Sequence, residues 1–106
     1  MAFNMNLFKQ AQELQEKLKK FQEDLVNKEA VGSAGGDMVQ VTVNGKHEVL
    51  DIRIAKEVVN PEDIEMLQDL VMAAVNDAMH KINEVIKMEM AKITGGLNIP
   101  GLEVPF

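Results

Sequence analysis

Cysteine, tryptophan and tyrosine are absent from these 106 residues, and phenylalanine occurs only four times. Without cysteine there is no disulfide framework, no thiol nucleophile and no cysteine metal site. That absence is compatible with a reducing compartment. Apolar content is carried instead by Val, Ile, Leu, Ala and eight Met, a set suited to helix–helix packing. No run approaches the roughly 18 apolar residues of a membrane span. The first six residues contain no basic segment leading into an apolar stretch, so no secretory signal is expected. The expectation is a soluble cytoplasmic protein with no membrane partner. Its length suits one domain, 1–106, with a modest core that oligomerisation would enlarge.

Catalytic patterns are missing as well. His47 and His80 fall on different elements and lack HExxH-type spacing. The stretch Gly32-Ser33-Ala34-Gly35-Gly36 matches neither GxxxxGKS/T nor GxGxxG, and reads as a break between strands. Glu62 and Asp63 sit at a helix start, where the dipole accounts for acids. Ser33, Thr42 and Thr94 have no recognisable base beside them, and Met88 and Met90 suit helix packing better than a soft-metal site. These absences point away from an enzyme, and no cofactor, metal or small-molecule substrate is expected.

Leu7, Ala11, Leu14, Leu18, Phe21 and Leu25 are spaced alternately by four and three residues. That is a coiled-coil-like seam on one face of a helix spanning about residues 5–26. Glu13–Lys17 and Glu16–Lys20 are i,i+4 pairs in the favourable orientation, each worth roughly 0.2–0.5 kcal/mol. An antiparallel sheet of two or three strands is predicted within 29–54. Glu29, Ala30 and Val31 could supply an edge strand. Val39, Val41 and Val43 alternate with Gln40 and Thr42, and Leu50, Ile52 and Ile54 alternate with Asp51 and Arg53. Asn44-Gly45 between them is a hairpin signal. Asn60 as N-cap and Pro61 at the first helical position open a second helical segment over 61–94, continuous or broken. Gly95 and Gly96 stop it, and 95–106 reads as an irregular tail. The fold class is α+β.

Helices of ~33 and ~50 Å overhang strands of ~20–24 Å. The start of the first helix and the end of the second are therefore expected to project together as an arm. The seam would close against Met79, Ile82, Val85, Ile86 and Ile93. An open sheet edge over a small core invites a homodimer.

Net charge is −6, which taken alone argues against nucleic acid. The charges segregate, however. Residues 1–20 hold four lysines against two glutamates, and 79–102 hold three against two. Residues 21–78 hold four basic and twelve acidic side chains. A mildly basic arm thus stands on an acidic body.

Several stretches, taken in order, resemble the YbaB/EbfC family of bacterial nucleoid-associated DNA-binding proteins. They are Lys9-Gln10-Ala11-Gln12, Gly32 to Gly36, Val41-Thr42-Val43-Asn44-Gly45, Val49 to Ile54, Leu70 to Ala78 with Lys81, Thr94-Gly95-Gly96, and Pro100-Gly101. Asp37 departs from the pattern, in which glycine or an apolar residue often follows the two glycines. The resemblance implies a tweezer-like homodimer whose projecting helices contact DNA with limited sequence preference. It also implies a nucleoid location and roles in chromosome organisation and gene regulation. Members are often encoded beside replication or recombination genes. The candidate phosphate contacts are Lys9, Lys17, Lys20, Lys81, Lys87 and Lys92. Gln10 and Gln12 are candidates for hydrogen bonds to backbone or base edges. The alternative is a protein-interaction module that clamps a replication or recombination partner without touching DNA.

Overall fold

A computed structural model describes residues 5–94, so the expected tail 95–106 lies outside the described residues. The order is helix α1 (Met5–Asp24), strands β1 (Glu29–Ala34), β2 (Val39–Asn44) and β3 (Val49–Ile54), then helix α2 (Ile64–Thr94). The strands form one antiparallel sheet in the order β1-β2-β3. This is the expected α+β arrangement, with a third strand present and the second helix unbroken. The first helix is slightly shorter than expected, because Leu25–Asn27 tighten into a 3-10 turn.

The valine alternation in β2 sets the core. Val39, Val41 and Val43 are fully buried, while Gln40 and Thr42 on the opposite face remain half-buried. Helix α2 crosses β1 and β2 and contributes Ala74, Ala78, Ile82 and Ile86 to the same cluster. Phe21 at the base of α1, Leu25 in the turn after it, and Val58 complete it.

Gly32 lies inside β1 rather than in the turn predicted from its sequence, and packing explains the difference. A Cβ at this position would run into the backbone nitrogen of Ala78 and the carbonyl oxygen of Ala74. Glycine in the strand and alanines in the helix together let α2 lie directly on β1. The turn itself is Gly35, Gly36 and Asp37, all left-handed, with φ of 64°, 64° and 69°. Aspartate is among the few non-glycine residues that adopt this region readily.

The β2–β3 hairpin forms where Asn44-Gly45 predicted it, but with a different loop. His47 N–H donates to the Asn44 carbonyl at 2.9 Å, and Asn44 N–H donates to the Glu48 carbonyl at 3.0 Å. His47, not Gly45, takes the positive φ, at 63°. This is the pattern of a three-residue loop closed by a left-handed residue. Gly45 is needed for close approach. Its N–H donates to the carbonyls of Leu25 and Lys28, both at 2.9 Å, and a Cβ would sit 2.5 Å from the Leu25 oxygen. Asn44 is buried, and its polar atoms are all used. Its Oδ1 accepts from the Lys46 and Glu48 N–H groups, and its Nδ2 donates to Glu48 Oε1.

The α2 N-cap also differs from expectation. Asn60 Oδ1 accepts from Glu62 N–H, closing a local turn, while Asp63 Oδ1 accepts from Met66 N–H at 3.1 Å. Asp63 therefore caps the helix, satisfying its third amide.

The helix does not reach across the whole sheet. Ile52 pairs with Val41 and Ile54 with Val39, so both isoleucines lie on the helix-covered face. Yet they stay 44% and 40% exposed, beside exposed Val49 and Leu50. On the adjoining flank of α2, Val71, Val75 and Met79 are only half-buried. Asn83, the next residue on that stripe, bonds His47 Nε2 at 2.7 Å and ties the hairpin loop to the helix.

The protein measures 75 × 23 × 16 Å, with a radius of gyration of 19.7 Å. A compact chain of this length would have about 13 Å. The excess comes from α1, which stands away from the sheet.

Candidate nucleic-acid interface

The seam of α1 closes only at its base. Phe21 and Leu25 are buried, Leu14 and Leu18 are half-buried outside the core cluster, and Leu7 is 64% exposed. Ile82 and Ile86, expected to meet the seam, are instead committed to the core over β1 and β2. Among the described residues only the last turns of α2 run beside α1.

All eight residues singled out from the sequence are exposed: Lys9, Gln10, Gln12, Lys17, Lys20, Lys81, Lys87 and Lys92. They fall into two electrostatic groups. On α2 each lysine faces a carboxylate. Lys81 Nζ lies 3.0 Å from Asp77, Lys87 Nζ 3.7 Å from Glu84, and Lys92 Nζ 3.4 Å from Glu89. On α1 no ion pair involves Lys9, Lys17, Lys19 or Lys20 among the described residues. The expected Glu13–Lys17 and Glu16–Lys20 bridges are not formed. Such pairs hold little energy at an exposed surface, and side-chain entropy opposes them. Lys9 and Lys20 are eleven residues apart, close to three helical turns, so they share the face opposite the seam about 16 Å apart.

The structure adds a cation that periodicity did not identify. Lys17, Lys20 and Lys28 line one groove at the α1–α2 junction, with Glu89 and Asp24. Half-buried Glu89 holds Lys28 on one oxygen at 3.8 Å and Lys92 on the other at 3.4 Å. Lys28 follows the helix end, and only the fold of the 3-10 turn swings it toward α2. Lys81 and Lys87 belong to the body side of α2 and are not brought to this junction.

Asp77 plays a structural part. It accepts from Ser33 N–H on the outer edge of β1 at 3.0 Å and pairs with Lys81. The Ser33 amide and then the Lys81 ammonium hold its carboxyl below the ordinary 3.8, against the opposing effect of burial. A depressed folded-state pKa stabilises above the unfolded value, and that contribution is lost as pH falls through the folded one. Asp77→Asn is therefore expected to lower Tm at neutral pH. The gap to the parent should close as pH drops below the carboxylate range, as pH-dependent thermal melts would show.

Among the described residues, no group of three or more His, Cys, Asp or Glu could hold a metal, and no helix is long and apolar enough to cross a membrane. Helix α1 thus stands off an acidic α+β body as an electrically neutral helix, four lysines against four acids, in which no lysine is ion-paired among the described residues. The chain belongs to the YbaB/EbfC DNA-binding family, which matches residues 1–97. It is 52% identical over 105 residues to a nucleoid-associated protein of Syntrophobacter fumaroxidans, covering 99% of this chain and 96% of that one. It is 54% identical over 101 residues to one from Caldanaerobacter subterraneus, with 94% and 91% covered. An uncharacterised Helicobacter pylori protein of known crystal structure shares the fold, with a TM-score of 0.71 at 24% identity. That match covers 90% of this chain and all of the other. The family is one of DNA-binding proteins whose curated relatives are nucleoid-associated, and it does not favour the protein-clamp alternative.

Proposed function

We propose that this protein binds duplex DNA as a homodimer, each protomer laying α1 along the phosphate backbone, and so helps to organise the nucleoid and regulate genes there. The observation that carries the reading is the contrast between the two sets of lysines. Those of α2 are already neutralised, whereas Lys9, Lys17 and Lys20 of α1 are exposed with no ion-pair partner among the described residues. Lys28 and Lys92 share the single carboxylate of Glu89, which leaves one net positive charge at the base of the arm. Gln10 and Gln12 supply neutral donors beside them. The acidic body keeps the duplex at the arm by repulsion.

Lysine is a point charge without the planar fork that reads guanine. The chain's one arginine, Arg53, lies on β3 paired with Asp51 at 3.1 Å. Binding that is tolerant of sequence follows. Log affinity should fall by roughly 0.9 per neutralised phosphate per log unit of salt. A mobility-shift titration at two salt concentrations tests this. Binding that weakens with salt is expected, and salt-independent binding or none at low salt would overturn the proposal.

The dimer rests on β3. Ile52, Ile54, Val49 and Leu50, with the Val71–Val75–Met79 flank, make a continuous apolar strip that a second copy would cover. Ile52→Asp places a charge in that strip at an exposed site. It is expected to give a folded monomer by sedimentation and circular dichroism. A parent protein that sediments as a monomer at micromolar concentration would refute the dimer.

A further inference from the structure

On the side of α2 away from β3, Met66, Leu70 and Ala73 line a shallow, open groove of about 510 Å³ with Asp63, Glu65 and Asp69. Its apolar stripe spans seven residues, two helical turns. Glu65 and Asp69 have no ion-pair partner among the described residues, and Asp63 is held only in its cap. The part of the α1 seam that lies outside the core cluster of the described residues has matching properties. Ala11, Leu14 and Leu18 also span seven residues, and none of the three belongs to the core cluster. Unpaired Lys17 and Lys19 flank that stripe on either side. Each surface offers what the other lacks: an apolar stripe of one length, bordered by opposite charges.

We propose that α1 of a second copy docks in this groove, linking copies head to tail. The contact joins different patches on the two partners, so it does not close on itself and propagates into chains. Within one protomer it cannot form, because Phe21 and Leu25 anchor α1 at the far end of α2. It is held partly by exposed charges, so screening weakens it and assembly should respond to ionic strength. Each link occupies Lys17, so self-assembly and DNA compete for the same side chain. The contact itself involves no nucleic acid, and its test is independent of the DNA reading.

The test is sedimentation velocity on the full chain without DNA. At low salt, species larger than the smallest oligomer are expected, and they should be lost at high salt. Asp69→Lys should lose them at low salt, and so should Lys17→Glu. The chain carrying both changes should regain them, because the charges are merely exchanged. Circular dichroism of each variant separates this from misfolding, and both positions are exposed. A size distribution that neither salt nor Asp69→Lys alters would overturn the proposal. So would a double variant that fails to reassemble, or large species that survive Lys17→Glu.

Discussion

Gly32→Ala is expected to cost more than ~3 kcal/mol and to lower Tm by roughly 10–20 °C or more. The added Cβ would meet the backbone of Ala74 and Ala78, not the end of a side chain that can rotate away. The only relief is to lift α2 off β1, and that opens the cluster containing Ala74, Ala78, Ile82 and the β2 valines. Lifting also breaks the bond between Asp77 and the Ser33 amide. Gly36 supplies the control. Its Cβ would meet nothing within 4 Å, so Gly36→Ala pays only for a left-handed φ of 64°, about 1–2 kcal/mol. Thermal melts of the two variants check the ranking, and equal losses would refute the close approach as the cause.

This glycine also shows where a sequence stops being informative. Gly32, Gly35 and Gly36 look alike along the chain, and a break between strands is the natural reading. Two of them do serve the turn. The third exists because a helix forty residues later must touch the strand, a relation no local pattern encodes. Gly45 is similar. Asn-Gly correctly marks a hairpin, yet the glycine is there for Leu25, and His47 takes the left-handed conformation.

Alternation and periodicity were most legible where both partners lie within one chain. The β2 valines, Phe21, Leu25 and the Ala74–Ala78–Ile82 face of α2 are buried as their spacing implies. The same signals failed to say whether a face is covered. Ile52 and Ile54 alternate as cleanly as the β2 valines but remain exposed, because α2 is one helix wide and sits over the other two strands. Leu14 and Leu18 fit the seam as well as Phe21 does, but they stay half-buried outside the core cluster of the described residues. An apolar stripe shows that a partner is favourable, not that this chain supplies it. Charge was legible in bulk and not in detail. Counting over residues 1–20 gives a net positive arm, but α1 runs on through Glu23 and Asp24 and is neutral over its length. The pairing of Lys81, Lys87 and Lys92 with acids, and the recruitment of Lys28, depended on where helices turn.

The pairing of the α2 lysines, set against the unpaired lysines of α1, decides which substitutions weaken DNA binding. Lys9→Ala combined with Lys17→Ala is expected to remove most DNA binding, while Lys81→Ala with Lys87→Ala should remove little. In the proposed dimer the first pair deletes four phosphate contacts, so the slope of log affinity against log salt should fall by roughly 3–4. Between about 50 and 200 mM salt, four contacts account for a change on the order of 100-fold in affinity. The α2 pair should leave that slope nearly unchanged. Lys81 and Lys87 already sit on carboxylates, and a phosphate must break those pairs before it gains anything from either lysine. Fluorescence anisotropy on two unrelated duplexes of equal length, over a salt series, reads both effects. The loss from the α1 pair should be the same on both duplexes, because phosphate contacts carry no sequence information. A loss confined to one duplex would mean that α1 reads bases, and the role of backbone anchor would then pass from Lys9 and Lys17 to another surface.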